Sequence, residues 1–397
     1  MSADIIVIGA GPAGNGVARK LAVLGHDVVV LESRERIGDK LCTGIVGTDC
    51  LKLVGPAGTT VLRDIKAATC ILPSGKTVRF DMGRTYAHVV DRVGFVASIA
   101  QSAQEAGAKY PPERKVTQVA VDKGGVEVRA WAGQREEVFK GKALVLANGF
   151  GSGFAHSLGL GSVEDYVLVA QVEVKTYGVE ETELYLGRRF APGFFAWMVP
   201  THPGTALIGV MARRDPLVRL KDLVSKLTSD GKVTGVTKQP SKWGMPLKPP
   251  SKTYGDRVLV VGDAAGQAKP TTGGGIYYSL LCGEMAADTL HDALDREDFT
   301  AERLRGYESR WKARLGKELT VGYYARRFYE ALGDRQVEFL TMNIAHNGIL
   351  RDIIEDGISS FDWHAELILR GMKHSAIRGV IQPLKTLMAA LRWGSGA

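Results

Sequence analysis
Six residues constrain this chain more than any others. Gly9-Ala10-Gly11-Pro12-Ala13-Gly14 is a G-x-G-x-x-G stretch, and its surroundings give it meaning. Before it, Asp4 to Ile8 is a short β-branched run of the kind a buried parallel strand needs. After it, Val17, Leu21 and Leu24 recur at helical spacing, and Gly25 ends that helix. Asp27 to Glu32 then reads as a second strand. Strand, glycine turn, helix and strand make a βαβ unit, and in that context each glycine has its own task. Gly9 permits the tight turn, Gly11 lets the backbone approach a pyrophosphate, and Gly14 lets helix and strand pack closely. The helix start, with Ala13 in its first turn, offers free N–H groups and partial positive charge to phosphate. Glu32, about 20 residues on, stands where an acid binds ribose hydroxyls, with Ser33 beside it. The sequence predicts an α/β protein built on a Rossmann-like dinucleotide-binding domain.

A second glycine cluster chooses the nucleotide. Val258 to Val261 reads as another buried strand, and Gly262-Asp263 follows it, ahead of a helix whose N-terminus is expected to face a ligand. Pro270, the run Gly273-Gly274-Gly275 and Ile276 come next, with room for backbone to approach a flat ring. This stretch resembles the second FAD motif of the para-hydroxybenzoate hydroxylase-like flavoproteins. The resemblance implies that Gly262 and Asp263 meet the ribityl chain and that Arg92, with Phe95, stands for the arginine of an R-x-x-F-D pattern. Val96 takes the place of that pattern's Asp. Asn148, in Ala147-Asn148-Gly149, stands where those proteins carry A-D-G. The implied cofactor is FAD. No second G-x-G-x-x-G closes another βαβ unit, so no dedicated NAD(P)H domain is expected.

Two further segments narrow the resemblance. Gly38-Asp39-Lys40-Leu41-Cys42-Thr43-Gly44 follows the ribose-binding acid, and Phe195-Ala196-Trp197-Met198-Val199-Pro200 lies in the middle of the chain. Together with Pro270 to Ile276 they resemble the geranylgeranyl reductase family, which has a K-x-C-x-G-like segment and a Y-x-W-x-F-P motif. Trp197 and Pro200 match; Phe195 replaces the Tyr and Val199 the second aromatic. The resemblance covers residues 1–300 or so. It implies an FAD-dependent oxidoreductase that saturates C=C bonds of geranylgeranyl chains on a lipid, a diphosphate or a related prenyl compound. It places Cys42 at the active site, beside the flavin, to position the ring or to donate or relay a proton. Phe195, Trp197 and Pro200 become substrate-binding candidates, the aromatic faces stabilising the cationic character that an unpolarised alkene develops. A monooxygenase or halogenase on the same fold is the alternative, because W-x-W-x-I-P of flavin halogenases is not far from residues 195–200. A non-catalytic lipid carrier is the third reading.

The remaining sequence sets the frame. Residues 1–65, 88–160 and 255–300 read as one discontinuous FAD-binding domain. Residues 66–87 and 161–254 read as an inserted, mostly antiparallel β-sheet substrate domain, and 301–397 as a helical C-terminal region. An apolar fraction of 45% and a charged fraction of 24% exclude a disordered chain. The four cysteines form no CxxC pair, and neither they nor the eight histidines have metal spacing, so no metal and a reducing, cytoplasmic setting are expected. No run of 18 apolar residues spans a membrane, and no basic n-region marks a signal peptide. The net charge of +8 favours anionic partners. Nucleic acid is discounted because no aromatic-basic platform accompanies the charge. Ile377, Val380, Ile381, Leu384, Leu387, Met388 and Leu391 form an apolar stripe with Arg378, Lys385 and Arg392 beside it. Such a helix docks on its own domain or lies peripherally on a membrane. The electron donor is expected to be NAD(P)H or ferredoxin.

Overall fold
The computed structural model describes residues 1–40, 42–55, 60–346 and 360–374. Four strands, Val28–Leu31, Ser2–Ile8, the end of Arg135–Leu146, and Val258–Val260, lie side by side and parallel. Their central residues are apolar on both faces and fully buried, as a doubly covered parallel sheet requires. Ile5 and Val7 pack toward the helices Pro12–Val23 and Ile276–Asp295, whereas Ile6 and Ile8 pack toward the hairpin Arg114–Val121/Val126–Ala132. The two helices approach closely because their contact is made of small residues: a Cβ on Gly283 would stand 3.0 Å from the Ala13 carbonyl oxygen. Pro12 opens the first helix and Gly25, at φ 87°, follows its end.

A second sheet has eight strands, drawn from residues 67–81 and 166–246. Every pairing in it is antiparallel except that of Thr182–Leu186 with Ala67–Ile71. One face is covered by the helix Pro216–Ser229, whose Leu220, Leu223 and Leu227 meet Val172, Val174 and Ile208. The sequence reading passed over this helix, although its leucines stand at helical spacing behind Pro216. The other face turns toward the nucleotide-binding unit. A small third sheet, Ile45–Gly47, Ala87–Val90 and Val61–Ile65, brackets the Ala67–Asp81 hairpin of the second sheet in sequence.

The 31-residue helix Ala301–Ala331, roughly 46 Å long at 1.5 Å per residue, joins the two units. Its Tyr307, Trp311, Leu315 and Leu319 belong to the first core, and Tyr323 packs on the second. Asp334–His346 and Ala365–Gly371 follow. The α/β class with its second sheet and C-terminal helices stands as expected. The basic stripe at residues 377–391 lies outside the described residues. Among the described residues no helix is long and apolar enough to cross a membrane. The sequence reads as helical from about residue 275, and the α-helix starts at Ile276; what differs is that Gly262–Ala265 is a single 3-10 turn ended by left-handed Gly266, so no α-helix N-terminus stands at Gly262. The Lys269–Gly275 loop fills the interval.

Candidate active site
The first glycine turn is shaped by backbone crowding on one side and open space on the other. Gly9, at φ 101°, has Ala147 so near that a Cβ would stand 2.5 Å from its carbonyl oxygen; at Gly14 a Cβ would be 1.9 Å from the Gly9 oxygen. Gly11 faces nothing within 4 Å, and the helix it opens has no side-chain cap. Free N–H groups at an uncapped helix start, facing open space, fit a pyrophosphate. Glu32 ends its strand beside this turn and accepts from the Ala10 N–H at 3.0 Å; Ser33 donates to the same carboxylate at 3.3 Å. Behind the turn, fully buried Asn15 donates to the Ala10 and Val96 carbonyls and accepts from Tyr110. The sequence reading did not include Asn15.

The second motif meets the first directly. A Cβ on Gly262 would lie 2.9 Å from the Ala13 methyl. Gln267 accepts from the Gly262 N–H and donates to Tyr307, which donates to the Val260 carbonyl, a buried network that holds the 3-10 turn. Asp263 is paired with Lys40 at 3.0 Å, and Lys40 also reaches Gly149, beside Asn148, which donates to Ser152. Lys40 is thus a polar neighbour of the expected ribityl site that sequence reasoning quoted but did not assign. Arg92 donates to the Gly38 carbonyl, and its buried Nε has no protein partner. An orphaned guanidinium N–H, an open cradle at Gly11 and an acid at each end of the site fit FAD.

The loop from Lys269 to Gly275 is closed on itself. The Gly273 N–H donates to the Lys269 carbonyl, and the Lys269 N–H to Gly274. Pro270 packs on Gly322 of the long helix, and Ile276 begins the next helix. A distant segment braces the loop. Lys269 Nζ donates to the Phe361 carbonyl at 2.7 Å, sits 4.1 Å from the Phe361 ring and pairs with Asp362 at 3.5 Å, both side chains almost fully buried. Burial pushes both toward their neutral forms, lowering the Lys269 ammonium and raising the Asp362 carboxyl. Thr271 shares a 2.6 Å hydrogen bond with His364, whose imidazole is held down to about 3 by burial and then by the Lys269 charge. Nothing in the local sequence of residues 361–364 marks this role.

The second sheet supplies the facing wall. In the strand Phe195–Pro200, alternation puts Phe195 and Trp197 on the side away from the covering helix. Pro200, with Ala196 and Met198, faces the helix side, so the structure does not bring it to the Trp197 wall. The two aromatic rings are 5.9 Å apart. The wall meets the flavin motifs at two points. The Thr43 hydroxyl donates to Gln171 Oε1 at 2.8 Å, and a Cβ on Gly273 would lie 2.1 Å from the Met245 sulfur. Cys42 is half-buried, its Sγ accepting from the Gly44 N–H at 3.5 Å. Cys50 and Cys282 are buried in the first core, and Cys70 is buried on the Trp197 row of the second sheet, two strands away through Leu184, where burial pushes its thiol up to about 12. A separate apolar groove of about 380 Å³, lined by Leu217, Leu220, Val224 and Val236 among others, lies on the opposite face of this sheet.

Residues 4–334 match the family model described as lycopene cyclase protein. A digeranylgeranylglycerophospholipid reductase 2 of Methanopyrus kandleri is 30% identical over 371 residues, covering 88% of this chain and 92% of that protein. The chain belongs to the geranylgeranyl reductase family. As a member of that family it is an FAD-dependent oxidoreductase. The digeranylgeranylglycerophospholipid reductase of Methanocaldococcus jannaschii is likewise 30% identical, over 85% of this chain and 89% of that protein. A geranylgeranyl bacteriochlorophyll reductase-like structure from Thermoplasma acidophilum superposes with a TM-score of 0.84 at 23% identity, covering 97% of this chain and 99% of that one. A flavin-dependent brominase superposes at 0.69 with 18% identity, covering 96% and 100%. The family fold therefore extends to proteins of other chemistry, and the wall and loops carry the functional argument.

Proposed function
We propose that this protein saturates carbon–carbon double bonds of geranylgeranyl chains carried on a lipid, a diphosphate or a related prenyl compound. One observation carries the reading. The wall that meets Thr43 and Gly273 is built from Phe195, Trp197, Val169, Met211 and Met245, with one amide and no charge among its central rows. Such a surface suits a hydrocarbon and offers nothing to a charged aromatic substrate. The reductase names of the 30% identical relatives point the same way. Reduced FAD, when bound, supplies the hydride. Gly11 and the start of the Pro12–Val23 helix hold its phosphates, Glu32 its ribose, Asp263 and Asn148 its ribityl side, and Arg92 the Gly38 segment that leads to Cys42. Phe195 and Trp197 turn their ring faces to the carbon that gains cationic character. Cys42 stands where a thiol positions the ring or passes a proton.

Residues 1–65, 88–160 and 255–300 then serve the cofactor and 66–87 and 161–254 the prenyl chain, and the helix Ala301–Ala331 of the C-terminal region joins the two. Electrons reach the flavin from NAD(P)H or ferredoxin, and the protein works in the cytoplasm with a peripheral contact to the lipid surface that holds its substrate. The test is anaerobic. Flavin is reduced with dithionite, a geranylgeranylated glycerophospholipid or geranylgeranyl diphosphate is added, and products are weighed. Gain of one H₂ per double bond supports the reading. No gain with either substrate on fully reduced flavin overturns it, and oxygen consumption coupled to substrate hydroxylation or halogenation favours the monooxygenase class.

A further inference from the structure
The centre of the Trp197 wall carries one fully buried polar side chain among apolar ones. The strand Tyr166–Thr176 presents Val167, Val169 and Gln171 to it, and Gln171 is 0% exposed. Its register partner is Gly209, and the partner of Gly209 on the other side is Trp197. The glycine lets this row close. A Cβ at Gly209 would stand 2.0 Å from the indole, so the ring lies across the glycine toward Gln171. The Thr43 hydroxyl occupies Gln171 Oε1 and fixes the amide; Gln171 Nε2 and Trp197 Nε1 are both buried without an acceptor. A buried donor left unsatisfied is costly, and apolar residues of the same shape, Met for Gln171 and Phe for Trp197, avoid that cost. Two such donors on one row make a built acceptor site.

We propose that Gln171 and Trp197 bind a single ordered water on the side of the sheet that meets Cys42 to Gly44 and Gly273. The proposal rests on the alkene-reducing function. A prenyl chain has no acceptor atom, so substrate cannot satisfy these donors, whereas a water accepts from both and finds a third polar partner in Thr43. Each double bond takes one hydride and one proton. The held water releases one proton to the carbon as it takes one from the solvent side, so the site is unchanged after turnover. Gln171 and Trp197 are positioning residues in this scheme: they act through the water.

The test uses FAD-loaded protein and two shape-conserving variants, Gln171→Met and Trp197→Phe. Both are expected to fold and keep FAD, with melting lowered only modestly, because each loses a hydrogen bond to the water and Gln171→Met also leaves the Thr43 hydroxyl without its acceptor. Single-turnover reoxidation of the reduced flavin by a geranylgeranylated lipid is expected to slow at least about tenfold in both, with an altered solvent deuterium effect, and in Gln171→Met at unchanged half-saturating lipid concentration. A high-resolution structure of the FAD-loaded wild type is expected to show a water within hydrogen-bond distance of both nitrogens. A flavin carbonyl at that position, an empty position, unchanged reoxidation in both variants, or lowered melting with parallel FAD loss would each overturn the proposal. Wild-type protein that reduces no prenyl compound defeats the functional reading instead, while the water in the map stands by itself.

Discussion

Gly9 and Gly11 belong to one turn, yet substitution should harm them in different ways. Gly9 sits at φ 101° with backbone 2.5 Å from any added Cβ, so alanine there strains the fold itself. Gly11 has φ −79° and open space before it. Gly11→Val therefore should fold, with an apoprotein melting temperature within about 2 °C of wild type, a shift of under ~1 kcal/mol, but should lose FAD. Absorbance at 450 nm against protein content, read beside a thermal melt, checks both halves. A variant that retains FAD would place the phosphates elsewhere. Cys42 is a different kind of residue. It is half-buried and makes one weak contact through sulfur, so Cys42→Ala should leave FAD bound and the melting point nearly unchanged. Turnover on a prenyl lipid should fall about tenfold or more, equivalent to at least about 1.4 kcal/mol of barrier. Undiminished turnover removes the thiol from the chemistry. Residues of the first turn were legible in the sequence because spacing alone carried them. Lys40, Asn15 and Gln171 were not, since a lone polar residue reveals its role only through partners far along the chain, at Asp263, Val96 and Thr43.

Among the elements, the parallel strands and the first helix were readable from period and punctuation, because burial on both faces demands unbroken apolar runs. The stretch after Val261 is legible only in part. The helix from about residue 275 is found at Ile276, but Gly262 and Asp263, which look like a helix entry, make a turn that left-handed Gly266 stops, and Lys269 bonds back to Gly274 to form a loop. What braces that loop is Phe361 to His364, about ninety residues away. Glu318 accepts from the His364 and Ala365 N–H groups at 2.8 Å, Trp363 stacks near Tyr277 and Tyr278, and His364 Nε2 faces the Phe361 carbonyl while Nδ1 faces Thr271. Burial holds this imidazole neutral, near 3 against 6.5 unperturbed, so Nε2–H donates to the Phe361 carbonyl and Nδ1 accepts from the Thr271 hydroxyl. Between those values the unfolded chain binds a proton that the folded chain does not, so stability falls as pH drops below 6.5. The loss is at most about 1.4 kcal/mol per pH unit. His364→Gln should flatten the fall in unfolding free energy between pH 6.5 and 4.5. Urea titrations at the two pH values check it, and equal slopes in both proteins would remove His364 from the pH response.

For the whole molecule, the question is why two sheets with separate cores should act as one enzyme. The long helix answers it. Its first half is packed into the core of the parallel sheet and its last turns grip the second sheet. Arg326, 4% exposed, lies 3.3 Å from the Phe194 ring and donates to the Gly193 carbonyl, at the head of the segment that becomes the Trp197 strand. Burial lowers its guanidinium to about 9, so it remains charged at neutral pH. A neighbouring pair, Arg213 and Glu330 at 2.8 Å, ties the same turns to the strand Thr205–Ala212. Removing Arg326 leaves the Gly193 carbonyl without its donor, at a cost of roughly 1–3 kcal/mol, and strips the packing on Phe194. That loss falls on the join between the units rather than on either core. Arg326→Ala should therefore keep FAD, since the glycine turns and the Lys269 loop are untouched. Its prenyl substrate should bind more weakly, because the Gly193–Pro200 segment is no longer held against the flavin side. Thermal unfolding, followed separately by flavin release and by tryptophan fluorescence, should part into two transitions where the wild type shows one. Coincident transitions in the variant, with unchanged substrate dependence, would mean that the two sheets are coupled through their direct contacts at Gln171 and Met245, with the strut merely adding to the core.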